Sequence, residues 1–218
     1  MSDNESVSEV RFDSFKLLYY IGWVIFRLFG IICGMRCIGT KSIPRSGPFI
    51  LASNHQHNLD PFILGSCISR QVYFFAKKEL WNNKIFGWLI SRINAFPVRR
   101  GTIDRNAFRQ TEQVFENGYG LVFFPEGTRG PVDHFLKPKP GIGFVLKQAK
   151  IRVPIVPVYL HGTRNLRDCF FRRARLMLTI GKPISAEEVA GYLTGKEGYQ
   201  ALAERVMSEI SQLKERSL

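Results

Sequence analysis

The sequence predicts an α/β fold: a single domain with a central mixed sheet flanked by helices, preceded by an N-terminal membrane-associated helical segment. Three observations carry that reading. Short, nearly continuous apolar runs alternate with stretches patterned at helical spacing, which is the order of a chain of βα units. The turn signals between them are brief, as at Asn117-Gly118, so consecutive elements must pack closely. No repeat, low-complexity linker or composition break interrupts the 218 residues, a length that supports one sizeable core and is short for two.

The elements follow in order. A polar leader ends near Glu9, and residues 12–33 form an apolar run rich in aromatics. Its length approaches the roughly 20 residues that span a bilayer. Arg27 lies inside the run, however, and a charge near mid-bilayer costs at least about 2.5 kcal/mol. A helix lying in one leaflet fits better, with Lys16, Arg27 and Arg36 reaching the headgroups. Gly22, Gly30 and, just past the run, Gly34 weaken a straight, uninterrupted helix, and the soluble alternative is a buried core helix. No small-residue cleavage site follows a basic leader, so the segment is not a signal peptide. Residues 1–38 are therefore read as leader and membrane-associated segment, and residues 39–218 as the domain.

Within the domain, strands are expected at 49–52, 72–76, 95–98, 121–124, 155–160 and 175–180, and helices at 61–68, 84–92, 105–117, 142–150, 186–193 and 200–213. Asp60-Pro61 opens the first helix, Asp being a good N-cap and Pro suiting the first helical position. Asn117-Gly118 closes the third, Ser185 caps the fifth, and the last runs out into Lys214-Glu215-Arg216.

Composition narrows the partners. The formal net charge is +13, from 31 Lys and Arg against 18 Asp and Glu, which points to nucleic acid, an anionic membrane surface or a phosphorylated substrate. Cys33, Cys37, Cys67 and Cys169 are scattered without CxxC spacing. They read as free thiols in a reducing compartment, with neither a disulfide framework nor a zinc site.

Two segments carry chemistry. His55 stands just past the apolar run 48–52 and is followed five positions later by Asp60. Imidazole accepts a proton near neutral pH, and a carboxylate orients it and stabilises the imidazolium. The pair can meet only across a turn, because positions five apart on a helix face different ways. The plainer alternative is that Asp60 only caps a helix. The second segment, Pro125-Glu126-Gly127-Thr128-Arg129-Gly130, follows the apolar run 121–124. An acid, a hydroxyl and a guanidinium on a glycine-flanked turn suit a phosphate-bearing ligand; taken alone, the turn also reads as a surface Glu126–Arg129 ion pair.

Together, His-x4-Asp and Phe-Pro-Glu-Gly-Thr-Arg in this order resemble the glycerolipid acyltransferase family, whose best known bacterial members are 1-acyl-sn-glycerol-3-phosphate acyltransferases. Residues 94–101 resemble the family's second block, with Arg100 at its arginine position and Arg99 where an acid often stands. Residues 153–158 resemble the fourth. The resemblance runs from about Gly39 to Pro183. It implies a membrane-associated O-acyltransferase making phosphatidic acid, with His55 and Asp60 as catalytic dyad. Arg100, Glu126, Gly127, Thr128 and Arg129 are the implied substrate contacts, with Glu126 orienting Arg129 or the acceptor hydroxyl. The implied acceptor is lysophosphatidic acid or a similar lipid, with glycerol-3-phosphate or another lysophospholipid as alternatives. The donor is acyl-CoA or acyl carrier protein thioester, with no resident cofactor or metal. The expected location is the cytoplasmic face of the cell membrane, peripheral or monotopic, on an anionic surface.

Two readings from other classes compete. His55-x-His57-x-x-Asp60 is near the metallohydrolase pattern His-x-His-x-Asp-His, but the acid stands one place late and only His134 and His161 remain as ligands. Phe170-Phe171-Arg172-Arg173-Ala174-Arg175 interleaves aromatics with cations as a nucleic-acid-tracking patch does. No nucleic-acid motif accompanies it and the apolar N-terminus is left unexplained, so no nucleic-acid partner is expected.

Overall fold

The computed structural model describes residues 16–99 and 104–217, the side chain of Lys16 excepted. Seven strands are β1 (Arg36–Ile38), β2 (Phe49–Ser53), β3 (Val72–Lys77), β4 (Ala95–Val98), β5 (Gly120–Phe123), β6 (Ile155–His161) and β7 (Met177–Ile180). The α-helices are α1 (Lys16–Ile32), α2 (Asp60–Ser66), α3 (Lys84–Arg92), α4 (Arg105–Glu116), α5 (Gly141–Ala149), α6 (Leu166–Phe170), α7 (Ala186–Gly191) and α8 (Lys196–Ser217).

One sheet takes all seven strands in the order β1-β7-β6-β2-β5-β3-β4. Every neighbouring pair is parallel except β6 and β7, so the sheet is mixed, as expected. Strand β2 is buried along its whole length, and its period of two divides the core. Ile50 and Ala52 face a cluster with Val114, Leu146, Val206 and Ile210 of α4, α5 and α8. Phe49 and Leu51 face a second cluster with Ile63, Leu64 and Ile90 of α2 and α3. Burial on both faces is why these strands read as continuous apolar runs.

The predicted strands and helices all form. The last helix is longer than its apolar pattern, and the expected strand at 175–180 starts at Met177. Strand β1 and helix α6 had no counterpart, being too short to show a period. Strand β1 lies inside the stretch set ahead of the domain at residue 38, so the sheet takes in part of that stretch. The cysteine expectation is corrected: Cys37 of β1 and Cys67, just past α2, are disulfide-bonded with Cα atoms 6.2 Å apart. Cys33 and Cys169 are free and buried. A separation of 30 residues gave no hint that an edge strand and a helix end would meet.

Helix α1 is continuous despite Gly22 and Gly30. It ends at Gly34, whose φ of 65° is the left-handed conformation that glycine takes freely. There Met35 N–H donates to Gly30 O (2.7 Å) and Gly34 N–H to Ile31 O (3.0 Å). One side of α1 seats on the domain: Phe26 stacks on Phe62 at 5.0 Å, Trp23 Nε1 donates to Ile68 O (3.0 Å), and Val72 N–H donates to Tyr19 Oη (3.3 Å). The other side leaves Leu17, Ile21, Val24, Ile25, Leu28 and Ile31 exposed, an apolar stripe at helical spacing. The alternative of a buried core helix therefore holds for one side of α1 only. Among the described residues no helix is long and apolar enough to cross a membrane; 17 residues rise about 25 Å, against a hydrocarbon core of about 30 Å.

Candidate active site

The site lies where β2 leaves the sheet. Ser53 is fully buried at the strand end, reading as structure rather than as a nucleophile. The amide of Asn54 then continues the ladder, Nδ2 donating to Leu160 O (2.9 Å) and Oδ1 accepting from Leu160 N–H (2.8 Å). That anchor on β6 fixes the point from which His55 departs.

Asp60 closes the turn. Its Oδ2 lies 2.8 Å from His55 Nδ1 and accepts from Gln56 N–H (2.7 Å) and His57 N–H (2.8 Å). Asp60 is the first residue of α2, with Leu59 at the cap position and no side-chain cap bond. The capping expectation is therefore corrected: the carboxylate turns back to gather the loop, not forward to the helix amides. A fully buried carboxylate is costly unless hydrogen-bonded; convergent donors on Oδ2 supply part of that compensation, and Oδ1 is buried with no partner among the described residues. Backbone amides only donate, so Oδ2 is an acceptor and His55 carries its proton on Nδ1. In the neutral ring Nε2 holds the lone pair. The ring stacks on Phe124 at 4.0 Å and is nearly buried.

The segment after β5 holds the same histidine from the other side, since β5 is the neighbour of β2. Glu126 Oε1 accepts from His55 N–H (3.0 Å), and Gly130 N–H donates to His55 O (2.8 Å). Both backbone polar groups of His55 are thus bound by one loop. Glu126 Oε2 accepts from Leu136 N–H (2.9 Å), and Arg164 Nη1 donates to Gly130 O (2.9 Å). A Cβ on Gly130 would collide with Glu126 Oε2. The expected Glu126–Arg129 pair is not formed: the Glu126 carboxylate is buried and accepts from backbone amides at both oxygens. Gly127 (φ 70°), Thr128 and Arg129 form the exposed crest of this loop, with the Lys139 side chain lying over Gly127.

Arg100 lies outside the described residues. Its flanks are tied together: Asp104 Oδ2 accepts from Arg99 N–H (2.9 Å) while Oδ1 caps α4 through Asn106 and Ala107 N–H. Strand β4 ends at the same edge of the sheet as β2, three positions along, about 14 Å away at the usual strand spacing.

The remaining histidines disperse. His57 Nδ1 accepts from Leu59 N–H (3.3 Å), and His134 pairs with Asp133 on the surface. His161 ends β6, where burial, then Lys214 and Arg175, hold its pKa below the usual value. Among the described residues no group of three or more His, Cys, Asp or Glu side chains gathers as a metal site does. Asn54 and Arg164 take part in the site although the sequence reading assigned them no role, while Phe124 and Gly130 were read only as parts of the second segment. Of the first two, only Asn54 left a signal, a polar residue directly after a buried strand.

A family model described as acyltransferase matches residues 34–161. A 1-acyl-sn-glycerol-3-phosphate acyltransferase of Streptococcus pneumoniae is 29% identical, over 97% of this chain and 78% of the relative. One from Bacillus subtilis is 28% identical, over 83% and 88%. In fold, the chain resembles the crystal structure of the 1-acyl-sn-glycerophosphate acyltransferase of Thermotoga maritima, with a TM-score of 0.67 and 22% identity over 91% of this chain and 81% of that one.

Proposed function

The chain belongs to the acyltransferase family, and from that premise we propose that it acylates the free hydroxyl of 1-acyl-glycerol-3-phosphate to give phosphatidic acid. The relatives that carry that name support the acceptor. The single observation that carries the chemistry is the 2.8 Å contact between His55 Nδ1 and Asp60 Oδ2, which turns Nε2 into the base. Nε2 takes the acceptor hydroxyl proton as that oxygen attacks the thioester carbonyl. The tetrahedral adduct collapses, its carbon–sulfur bond breaks, and the imidazolium returns the proton to the leaving sulfur. Asp60 stabilises the imidazolium while it exists. No side-chain nucleophile is needed, so both substrates are bound together.

Arg129 and Arg100 bind the acceptor phosphate, each offering a planar fork, with Thr128 and the Gly127 amide as secondary contacts. Glu126 is a positioning residue for His55. A small apolar cleft under α1, lined by Trp23, Phe26, Pro61, Phe62 and Phe74, starts one residue from Asp60. The donor is acyl-CoA or acyl carrier protein thioester, with no resident cofactor. The α1 stripe, together with exposed Ile85, Phe86, Trp88 and Leu89 on α3, supports a monotopic seat in one leaflet, assigned here to the cytoplasmic face, with the acyltransferase domain reaching back from residue 39 to include β1.

A donor–acceptor panel with purified protein, read by mass spectrometry of the lipid formed, tests the reaction. Phosphatidic acid from lysophosphatidic acid is the expected product. Faster acylation of glycerol-3-phosphate or of a lysophospholipid with a larger headgroup would displace this acceptor. Arg129→Ala should raise the acceptor KM far more than the donor KM, with Arg129→Lys only a partial rescue. Equal effects on both substrates would remove Arg129 from the phosphate site.

A further inference from the structure

We propose that the turn at the end of α6 is a second membrane contact that reads anionic phospholipid headgroups. The proposal rests on the membrane-associated reading above and goes beyond it in assigning a separate surface. Phe170 and Phe171 are 46% and 57% exposed, and Arg167, Arg172, Arg173 and Arg175 are exposed around them, with Asp168 the one acid of the turn. The aromatics pack edge to face at 5.4 Å, and the Arg173 guanidinium lies 5.6 Å over the Phe171 ring. The motif is therefore a formed knob rather than a loose basic run.

Its backbone is unusual. Arg172 N–H donates to Cys169 O (2.9 Å) and Arg173 N–H to Asp168 O (2.8 Å), closing α6 around Arg172 at φ 57°. Glycine ordinarily takes that left-handed position, and an arginine there is strained. Arg172 Nε donates to Ile32 O at the end of α1 (3.3 Å), and Cys33, Cys169 and Leu176 share one buried cluster with Phe29. The knob therefore continues the apolar stripe of α1 where it ends in Leu28, Ile31 and Ile32, all exposed. Because α6 follows the carboxyl end of β6, which is parallel to β2, it also stands at the His55 end of the sheet.

Those neighbours decide the occupant. A nucleic-acid backbone gains nothing from exposed isoleucine and leucine, whereas a leaflet receives the apolar side chains and presents phosphates to the arginines at one depth. Anionic lipid would thereby hold the His55 end of the sheet at the headgroup plane.

The test places an environment-sensitive dye on Phe171→Cys in the full chain; Cys33 and Cys169 are buried and Cys37 and Cys67 are bonded, so labelling is selective. The dye should shift to the blue and brighten on phosphatidylcholine vesicles containing phosphatidylglycerol, and far less on phosphatidylcholine alone. The same dye on Glu197→Cys, at the start of α8, should not respond. Replacing Arg167, Arg173 and Arg175 by Gln should weaken the response to anionic vesicles by roughly fivefold per arginine, as should high salt. Inorganic phosphate should leave the dye unchanged.

Equal signals on neutral and anionic vesicles, or an undiminished response in the arginine variant, would overturn the proposal. So would a mixed-sequence DNA duplex that shifts the dye and excludes vesicles. Transfer to a short-chain acceptor dispersed as monomers should be the same in all variants. Its absence from the unsubstituted protein would count against the acyl-transfer reading, while the dye would still decide the knob.

Discussion

The two ends of the sheet are tied by opposite devices. At the amino end one cation gathers carbonyls: Arg70 donates to Pro44 O (2.9 Å), Gly47 O (2.7 Å) and Gly118 O, with its guanidinium 4.8 Å over the Phe49 ring. At the carboxyl end two buried anions gather amides, Asp60 those of Gln56 and His57, Glu126 those of His55 and Leu136. Each knot joins segments far apart in sequence, and each satisfies loop groups that a buried turn would otherwise leave unpaired. The difference lies in what each knot encloses. The Arg70 knot gathers backbone carbonyls and one aromatic ring and holds no proton-transfer group. The carboxyl-end knot encloses a histidine with one ring nitrogen bound and the other free for chemistry. The first should therefore govern stability alone, and the second stability and turnover together.

Substitutions that separate turnover from stability sharpen or break this contrast. His55→Ala has the largest expected effect, a fall in turnover of about 10²–10⁴-fold with the fold kept. Near-normal turnover in a folded variant would end the general-base mechanism. Asp60→Asn comes next: its amide oxygen can still accept from Gln56 and His57, but it cannot stabilise an imidazolium, so a loss of about 10²-fold in kcat is expected. Full activity would reduce Asp60 to a loop fastener, like Arg70.

Glu126→Gln keeps the shape but sets an amide donor against a backbone N–H, at a cost of about 1–3 kcal/mol. Through the position of His55 it should lower kcat about tenfold with the acceptor KM unchanged, since small misplacements of a catalytic group are costly. A change confined to KM would restore Glu126 as a ligand contact. Arg70→Met has the smallest effect on catalysis: activity per folded molecule should be unchanged. Loss of charge-assisted bonds to three carbonyls should still cost about 2 kcal/mol, a Tm drop of roughly 4–8 °C by thermal unfolding. A kcat defect there would show that the two ends are coupled, and the contrast would fail.

What was legible in the sequence follows the range of the interactions. The pairing of His55 with Asp60 was readable because five residues and a helix start constrain where the carboxylate can go. The direction of that carboxylate was not, because an Asp at a helix start satisfies either the helix or the loop, and burial beside His55 selects the loop. Glu126 was recognised as a site residue, but its backbone partners were not. Its partners, His55 and Leu136, lie 71 and 10 residues away. Only the adjacency of β5 to β2 brings His55 into reach. The same non-locality hid the Cys37–Cys67 bond, the Arg70 knot and the seating of the α6 turn on the end of α1.

By itself, then, the sequence determined the kinds and approximate limits of the longer elements, the strand end that carries the histidine and the presence of a long apolar N-terminal segment. These depend on periodicity and caps, which are local. The tertiary structure decided which loop clamps His55, that Glu126 holds backbone rather than Arg129, and that α1 buries one side while baring the other. The physical reason is strand order. Nothing within a strand's own residues specifies its neighbour in a parallel sheet; that adjacency is set by the joint burial of both faces under helices, and it brings the loops of the site together.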